Sequence, residues 1–217
     1  MMKKLNKQVL LPTVVALLPI LMGVIFYDKL PAELPTHWNF SGTIDGYSSK
    51  AFTVFGLPLM MAAITLLVPF FLALDPKKAN MSSALKLLVQ WICPVMSLVL
   101  STSTMLIGLG YSLPIPLIVC ILVGVMFMII GNYLPKTKQS YTMGIRLPWT
   151  LNSEENWNRT HRLAGKLWML GGFLMIVCGV LTQYIQSNLL LTLIFIGIMG
   201  LTLIPSLYSL WLYKKGI

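Results

Sequence analysis

The sequence predicts an all-α polytopic membrane protein: a six-transmembrane-helix bundle with both termini inside, a structured extracellular loop between helices 1 and 2, and a polar cytoplasmic loop between helices 4 and 5. Three observations predict it. Of 217 residues, 57% are hydrophobic and only 10% charged, with a mean hydropathy of +0.80, whereas soluble domains carry about 25% charged residues. The apolar residues gather into six blocks free of internal charge: 9–27, 52–74, 87–109, 114–133, 167–184 and 189–212. The net charge of +10 lies almost entirely between those blocks, so it reads as membrane topology and not as a nucleic-acid footprint. An ordinary cytosolic globule, a disordered chain and a collagen-like chain are all excluded.

At 1.5 Å per residue each block is long enough to cross a hydrocarbon core of roughly 30 Å. The first follows Lys3, Lys4 and Lys7 as a signal peptide would. Asp28-Lys-Leu-Pro31 offers no small-x-small cleavage site, however, and further spans follow, so it reads as the first span. Pro12, Pro19, Pro58, Pro69, Pro94 and Pro205 fall inside the blocks. Transmembrane helices tolerate them where neighbouring groups re-satisfy the freed carbonyls. A β-barrel would alternate polar and apolar residues, and these blocks are apolar throughout. Cys93, Cys120 and Cys178 lie within blocks at spacings that match no metal or redox motif, and read as buried small hydrophobes.

Orientation follows from the cations. With the N-terminus inside, Lys3, Lys4, Lys7, Lys77, Lys78, Lys86, Lys136, Lys138, Arg146, Arg159, Arg162, Lys166, Lys214 and Lys215 are inside, fourteen of the sixteen; Lys29 and Lys50 are outside. The chain then divides into an amino-terminal three-helix region, 1–109, with an outer loop over 28–51, and a carboxy-terminal region, 110–217, with an inner loop over 134–163. Tight outer turns fall near Tyr111–Leu113 and Gln186–Asn188. No repeat relates the halves, so a transporter-style inverted repeat is unsupported.

The outer loop carries stiffening Pro31 and Pro35 and turn signals at Ser41-Gly42 and Asp45-Gly46, which predict a compact ordered loop. His37, Trp38, Asn39, Asp45, Tyr47 and Lys50 are its binding candidates. His37 and Asp45 read either as a ligand-contacting pair or as a structural hydrogen-bonded pair; Trp38 and Tyr47 also fit membrane-interface anchors. One histidine with scattered carboxylates is too few ligands for a zinc site.

The inner loop is the densest polar stretch. Asn152 with Glu155 forms a capping-box variant, predicting a helix from about Ser153 that runs into the fifth span. On that helix Glu155, Arg159 and Arg162 share one side and Trp157 and His161 another. Asn132, Arg146, Trp149, Glu155, Trp157, Arg159, His161 and Arg162 are the binding candidates here. Arg146, Arg159, Arg162 and Lys166 suit anionic lipid headgroups or an acidic partner, and equally a snorkelling cytoplasmic boundary. His161 is cut off from His37 by the membrane. Within the spans, Gly124 and Gly131, and Gly172 and Gly179, are spaced for close helix approach. Ser101–Thr104 is either a cavity lining or a run of hydroxyls bonded to their own helix.

These loops resemble a known family. Pro35-Thr-His-Trp-Asn39 with Gly42, Asp45-Gly46 and Lys50 looks like the outer-loop motif of a bacterial domain of unknown function. Gly131-Asn-Tyr-Leu-Pro-Lys136, Gly144-Ile-Arg-Leu-Pro-Trp-Thr-Leu151 and Trp157-Asn-Arg-Thr-His-Arg-Leu-Ala-Gly165 resemble the carboxy-terminal signature of the SdpI-like immunity proteins. The resemblance covers almost the whole chain. It implies a plasma-membrane protein that protects a Gram-positive cell against a secreted, membrane-active peptide toxin and relays toxin presence by holding a transcriptional repressor at the membrane. On that reading His37, Trp38, Asp45 and Tyr47 face the peptide, and Arg146, Trp149, Trp157 and Arg159 anchor the repressor. Membrane lipids are the other partner, and no cofactor and no direct nucleic-acid contact is implied.

Two rivals are set beside it. An integral-membrane enzyme acting on a lipid or envelope intermediate would use Glu154, Glu155, His161 and Arg146, but the sequence offers no nucleophile or metal constellation and none of the common catalytic motifs. A small permease would need a polar path, which only Ser101–Thr104 suggests.

Overall fold

A computed structural model describes residues 2–39, 42–185 and 188–217. The Ser41 end of the hairpin turn and the Gln186–Ser187 part of the last turn lie outside the described residues. Among the described residues, six helical stretches are long and apolar enough to span a membrane: Lys7–Ile25, Phe52–Leu74, Ser83–Gly108, Ile115–Lys136, Glu154–Leu181 and Thr192–Lys214. Leu21, Ile25, Phe70, Phe71 and Leu207 stay more than half exposed. Such an outward apolar surface suits a lipid solvent. The chain packs as two units, Met1–Ala73 with Ser83–Ile115, and Leu74–Ser82 with Pro116–Ile217.

In the first unit, helix α1 (Met2–Ile25) leads to a hairpin of β1 (Glu33–Trp38) and β2 (Ile44–Ser49), then to α2 (Leu57–Leu74), α3 (Ser83–Met96) and α4 (Thr102–Gly108). The bundle is all-α, and the compact loop expected over 28–51 is a two-stranded antiparallel sheet. A π-helical turn opens the second span at Phe52–Gly56, and another joins α3 to α4 at Ser97–Ser101. Proline placement explains one tie between helices. Pro69 has no N–H to give the carbonyl four residues back, and Gln90 Nε2 of α3 supplies the missing donor to Thr65 O at 2.9 Å. Ser97 Oγ similarly reaches Ala16 O of α1 at 2.7 Å. Within the Ser101–Thr104 patch, Ser101, Ser103 and Thr104 are buried, and Thr104 Oγ1 bonds Leu100 O of its own helix at 2.9 Å.

In the second unit, α5 (Ile115–Tyr133) is followed by α6 (Pro148–Asn152), α7 (Glu154–Leu181) and α8 (Asn188–Lys214). The glycines let α5 and α7 touch backbone to backbone: a Cβ on Gly124 would sit 2.7 Å from Gly172 O, and one on Gly131 2.9 Å from Gly165 O. Pro205 repeats the device of Pro69. The carbonyl it frees, Leu201 O, receives Trp168 Nε1 of α7 at 2.8 Å, while the Trp168 ring meets Phe127 of α5 edge-on at 5.0 Å. Buried Asn156 joins α7 to α8 with a fully used amide. Its Nδ2 donates to Ser209 O and Ile217 O, and its Oδ1 accepts from Ser209 Oγ and Thr160 Oγ1. The cysteines are free thiols, with Cys120 buried and Cys93 and Cys178 partly so.

Candidate functional site

Two polar constructions stand at helix ends, one in each unit. The first is the hairpin. Leu34, fully buried, plugs the first unit's core with Leu30, Val54 and Met105. It sits where a Cβ on Gly108 would be, so glycine at that position makes the socket. Lys50 closes the base from within: its Nζ donates to Tyr27 O and Leu30 O, both at 3.1 Å, and lies 4.6 Å from the Tyr27 ring centre. Lys50, a binding candidate from sequence, is therefore turned toward the loop's own carbonyls. Asn39 builds the turn, its Oδ1 accepting from Thr43 N at 3.0 Å.

The strands pair Pro35 with Tyr47, His37 with Gly46 and Trp38 with Ile44. Thr36 and Asp45 are thus extra residues on their strands, the condition for a β-bulge, which turns a side chain from its regular face. Asp45 is brought to the side of the strand where His37 stands. Gly46 beneath completes the arrangement, because a Cβ there would lie 2.8 Å from His37 Cβ. The outcome is a hydrogen bond of 2.5 Å between His37 Nδ1 and Asp45 Oδ1, with side chains 71% and 42% exposed. The carboxylate fixes the imidazole and leaves Nε2 for an outside group. Tyr47, paired with Pro35 across the hairpin, is exposed and Trp38 is half-buried.

The second construction folds residues 137–152 into a fixed platform. Trp157 and His161 lie on one side of α7 as the sequence predicts, but that side faces inward and both are fully buried. Their rings stack at 4.0 Å. Trp157 Nε1 donates to Thr137 O at 2.8 Å. His161 Nε2 accepts from Ile145 N at 2.9 Å, so its proton is on Nδ1, which donates to Trp157 O at 2.8 Å. Gly144 passes over these rings at φ +100°, where a Cβ would meet both. Thr150, fully buried, accepts from Leu147 N, and Gln139 Nε2 donates to Thr150 O.

Asp75, just beyond α2, holds the other side. Its Oδ2 accepts from Ser140 Oγ at 2.7 Å, Thr142 N at 2.9 Å and Thr142 Oγ1 at 2.7 Å, and its Oδ1 from Lys77 N at 2.7 Å. Burial acts to raise this carboxyl's pKa, but the Ser140 and Thr142 hydroxyls and the Lys77 and Thr142 amides outweigh it and hold the group down at about 2. Lys77 Nζ and Asn80 Nδ2 add bonds to Gln139 Oε1 and O, both at 2.8 Å.

The helix cap is one residue later than the sequence reading puts it. Ser153 is the cap, its Oγ accepting from Asn156 N at 3.1 Å, because Pro148 starts a separate short helix that uses Asn152 as its last residue. Glu155 and Arg159 form the expected ion pair at 2.5 Å. Asn132, Arg146 and Arg162 are exposed. Trp149 stacks on Tyr213 at 5.8 Å, with its indole N–H buried and without an acceptor. Among the described residues, no three His, Cys, Asp or Glu side chains stand together as a metal site.

Residues 136–209 match the SdpI/YfhL protein family, and 14–62 match a domain of unknown function, DUF1648. Over 209 residues the chain is 31% identical to the Immunity protein SdpI of Bacillus subtilis (strain 168), spanning 96% of this chain and 97% of that one. The chain belongs to the SdpI/YfhL family. It is thus a multi-pass protein of the bacterial plasma membrane. No solved structure matches it. The DUF1648 segment contains the hairpin, and the SdpI/YfhL segment contains the platform. Asp75 lies outside both matched segments, and the sequence reading passes over it. Its only sequence signal is a carboxylate at a helix C-terminus, where the helix dipole disfavours negative charge and another source of stabilisation is needed.

Proposed function

We propose that this protein is an immunity protein of the plasma membrane that protects its cell from a secreted, membrane-active peptide toxin. The observation that carries the reading is the 31% identity to an Immunity protein over 96% of the chain. Both termini lie inside, so the hairpin is extracellular and the platform cytoplasmic, as the excess of Lys and Arg on the platform side supports. The peptide engages the hairpin through His37, Asp45, Tyr47 and Trp38. A firmly seated hairpin supports this role because little ordering entropy is lost when a partner docks on it. On the inside, the platform relays the encounter by holding a transcriptional repressor.

The test is survival of a sensitive Gram-positive host that expresses the chain, challenged with a panel of secreted membrane-active peptides. A His37→Ala/Trp38→Ala/Asp45→Ala form is run beside it at matched membrane levels. Protection by the wild type and its loss in the triple variant is the expected result. Equal protection by both would remove the hairpin from the mechanism, and protection by neither would count against immunity toward those peptides.

A further inference from the structure

The platform has a tip where Tyr141 stands between Arg146 and Lys77, and of these three the immunity reading draws on Arg146 alone. Tyr141 is 47% exposed, yet both its neighbours are tethered, since Ser140 and Thr142 donate to the same oxygen of buried Asp75. Two cations bracket it. Arg146 Nη1 donates to Tyr141 O at 2.7 Å, with its remaining N–H groups on an exposed side chain, and Lys77 Nζ stands 5.5 Å from the Tyr141 ring centre while bonded to Gln139.

We propose that Tyr141, Arg146 and Lys77 form a docking knuckle for an acidic protein segment on the cytoplasmic side, with Asp75 as the positioning residue that builds it. The proposal rests on the topology and relay of the immunity reading and names the surface that the relay uses.

Charge complementarity points to an acidic partner. The second unit carries ten Lys and Arg against Asp75, Glu154 and Glu155. Asp75 is buried among hydrogen-bond donors and Glu155 is paired with Arg159, so the surface presented is cationic. Its chemistry favours protein over lipid. Tyrosine and arginine are enriched among binding hot spots, and a loop held by Asp75 on one side and by His161 and Thr150 on the other pays little entropy on docking. A lipid-facing role is filled elsewhere, by Trp211 near the end of α8, which is 49% exposed with Lys215 Nζ 4.0 Å from its ring. The buried Trp157 and His161 support the surface without touching the partner.

The experiment uses the full chain in phosphatidylcholine nanodiscs and a fluorescein-labelled peptide of repeating Glu-Ala-Ala-Leu, read by anisotropy. Tyr141→Ala and Arg146→Ala are each expected to weaken binding tenfold or more, and Asp75→Asn to do the same although it does not reach the peptide. Hydrogen exchange separates the roles: amides over 139–146 should exchange faster in Asp75→Asn and stay at the wild-type rate in Tyr141→Ala, which also reports that the surface variant is folded. Binding equal to that of empty nanodiscs, or unmoved by Tyr141→Ala and Arg146→Ala, would overturn the proposal. So would loss of peptide binding when phosphatidylglycerol replaces phosphatidylcholine, with brominated phosphatidylglycerol quenching a fluorophore at position 141, because the knuckle would then be a lipid site. Peptide binding by a chain that confers no toxin protection would leave the knuckle standing and remove the immunity reading alone.

Discussion

Asp75 shows how much a single carboxylate can organise when its neighbours are donors. It is 3% exposed, and it accepts hydrogen bonds from four separate groups of residues 77, 140 and 142. Because its folded-state pKa is depressed from 3.8 to about 2, its contribution to stability is complete above the unfolded value and is lost as the pH falls through the folded one. Thermal melts of wild type and Asp75→Asn in detergent should therefore show a constant gap above about pH 5 that narrows below about pH 4. A gap that widened on acidification would place the stabilising charge on another group. At neutral pH, Asp75→Ala should cost roughly 1–3 kcal/mol, the cost of leaving buried donors unpaired. His37 and Asp45 make the opposite case at this scale. The sequence suggests their pairing, but the bulge at Asp45 and the missing Cβ of Gly46 are what let the side chains meet.

At the scale of elements, proline is the feature that ties helices together. Pro69 and Pro205 each free one carbonyl within an apolar span, and in each case a side chain from a neighbouring helix supplies the donor, Gln90 to Thr65 O and Trp168 to Leu201 O. An unpaired carbonyl in hydrocarbon has no water to turn to, so the cross-helix bond and the proline belong together. Trp168→Phe keeps most of the ring packing and removes only the donor; it should destabilise by about 1 kcal/mol. Combining it with Pro205→Ala, which restores the helix's own donor, should recover most of that loss in the same thermal melt. An additive double variant would mean that the two residues are uncoupled. The sequence marks both prolines as tolerable breaks, but gives no sign of which neighbour answers each. That depends on helix rotation, which a block of uniformly apolar residues leaves undefined.

For the whole molecule, orientation is the property that composition argues best and that geometry must connect to function. Cysteine variants in a background lacking the three native thiols would test it. Asp45→Cys should react with a membrane-impermeant maleimide on intact cells, and Tyr141→Cys should react only after permeabilisation. Labelling of Tyr141→Cys on intact cells would invert the topology and, with it, the assignment of the hairpin to the toxin. The six spans were legible from length, apolarity and the absence of charge, because lipid imposes those requirements residue by residue. The family was legible from loop motifs, and the Glu155–Arg159 pair from its four-residue spacing. The tertiary structure alone decided that the 28–51 loop is a bulged hairpin seated by Leu34, that Trp157 and His161 face inward, and that Asp75 clamps a segment 65 residues along the chain. Local periodicity and spacing carry the first kind of information. The second depends on which donor meets which acceptor once distant segments pack, and each such bond is fixed by a geometry that neither residue carries in its own stretch of sequence.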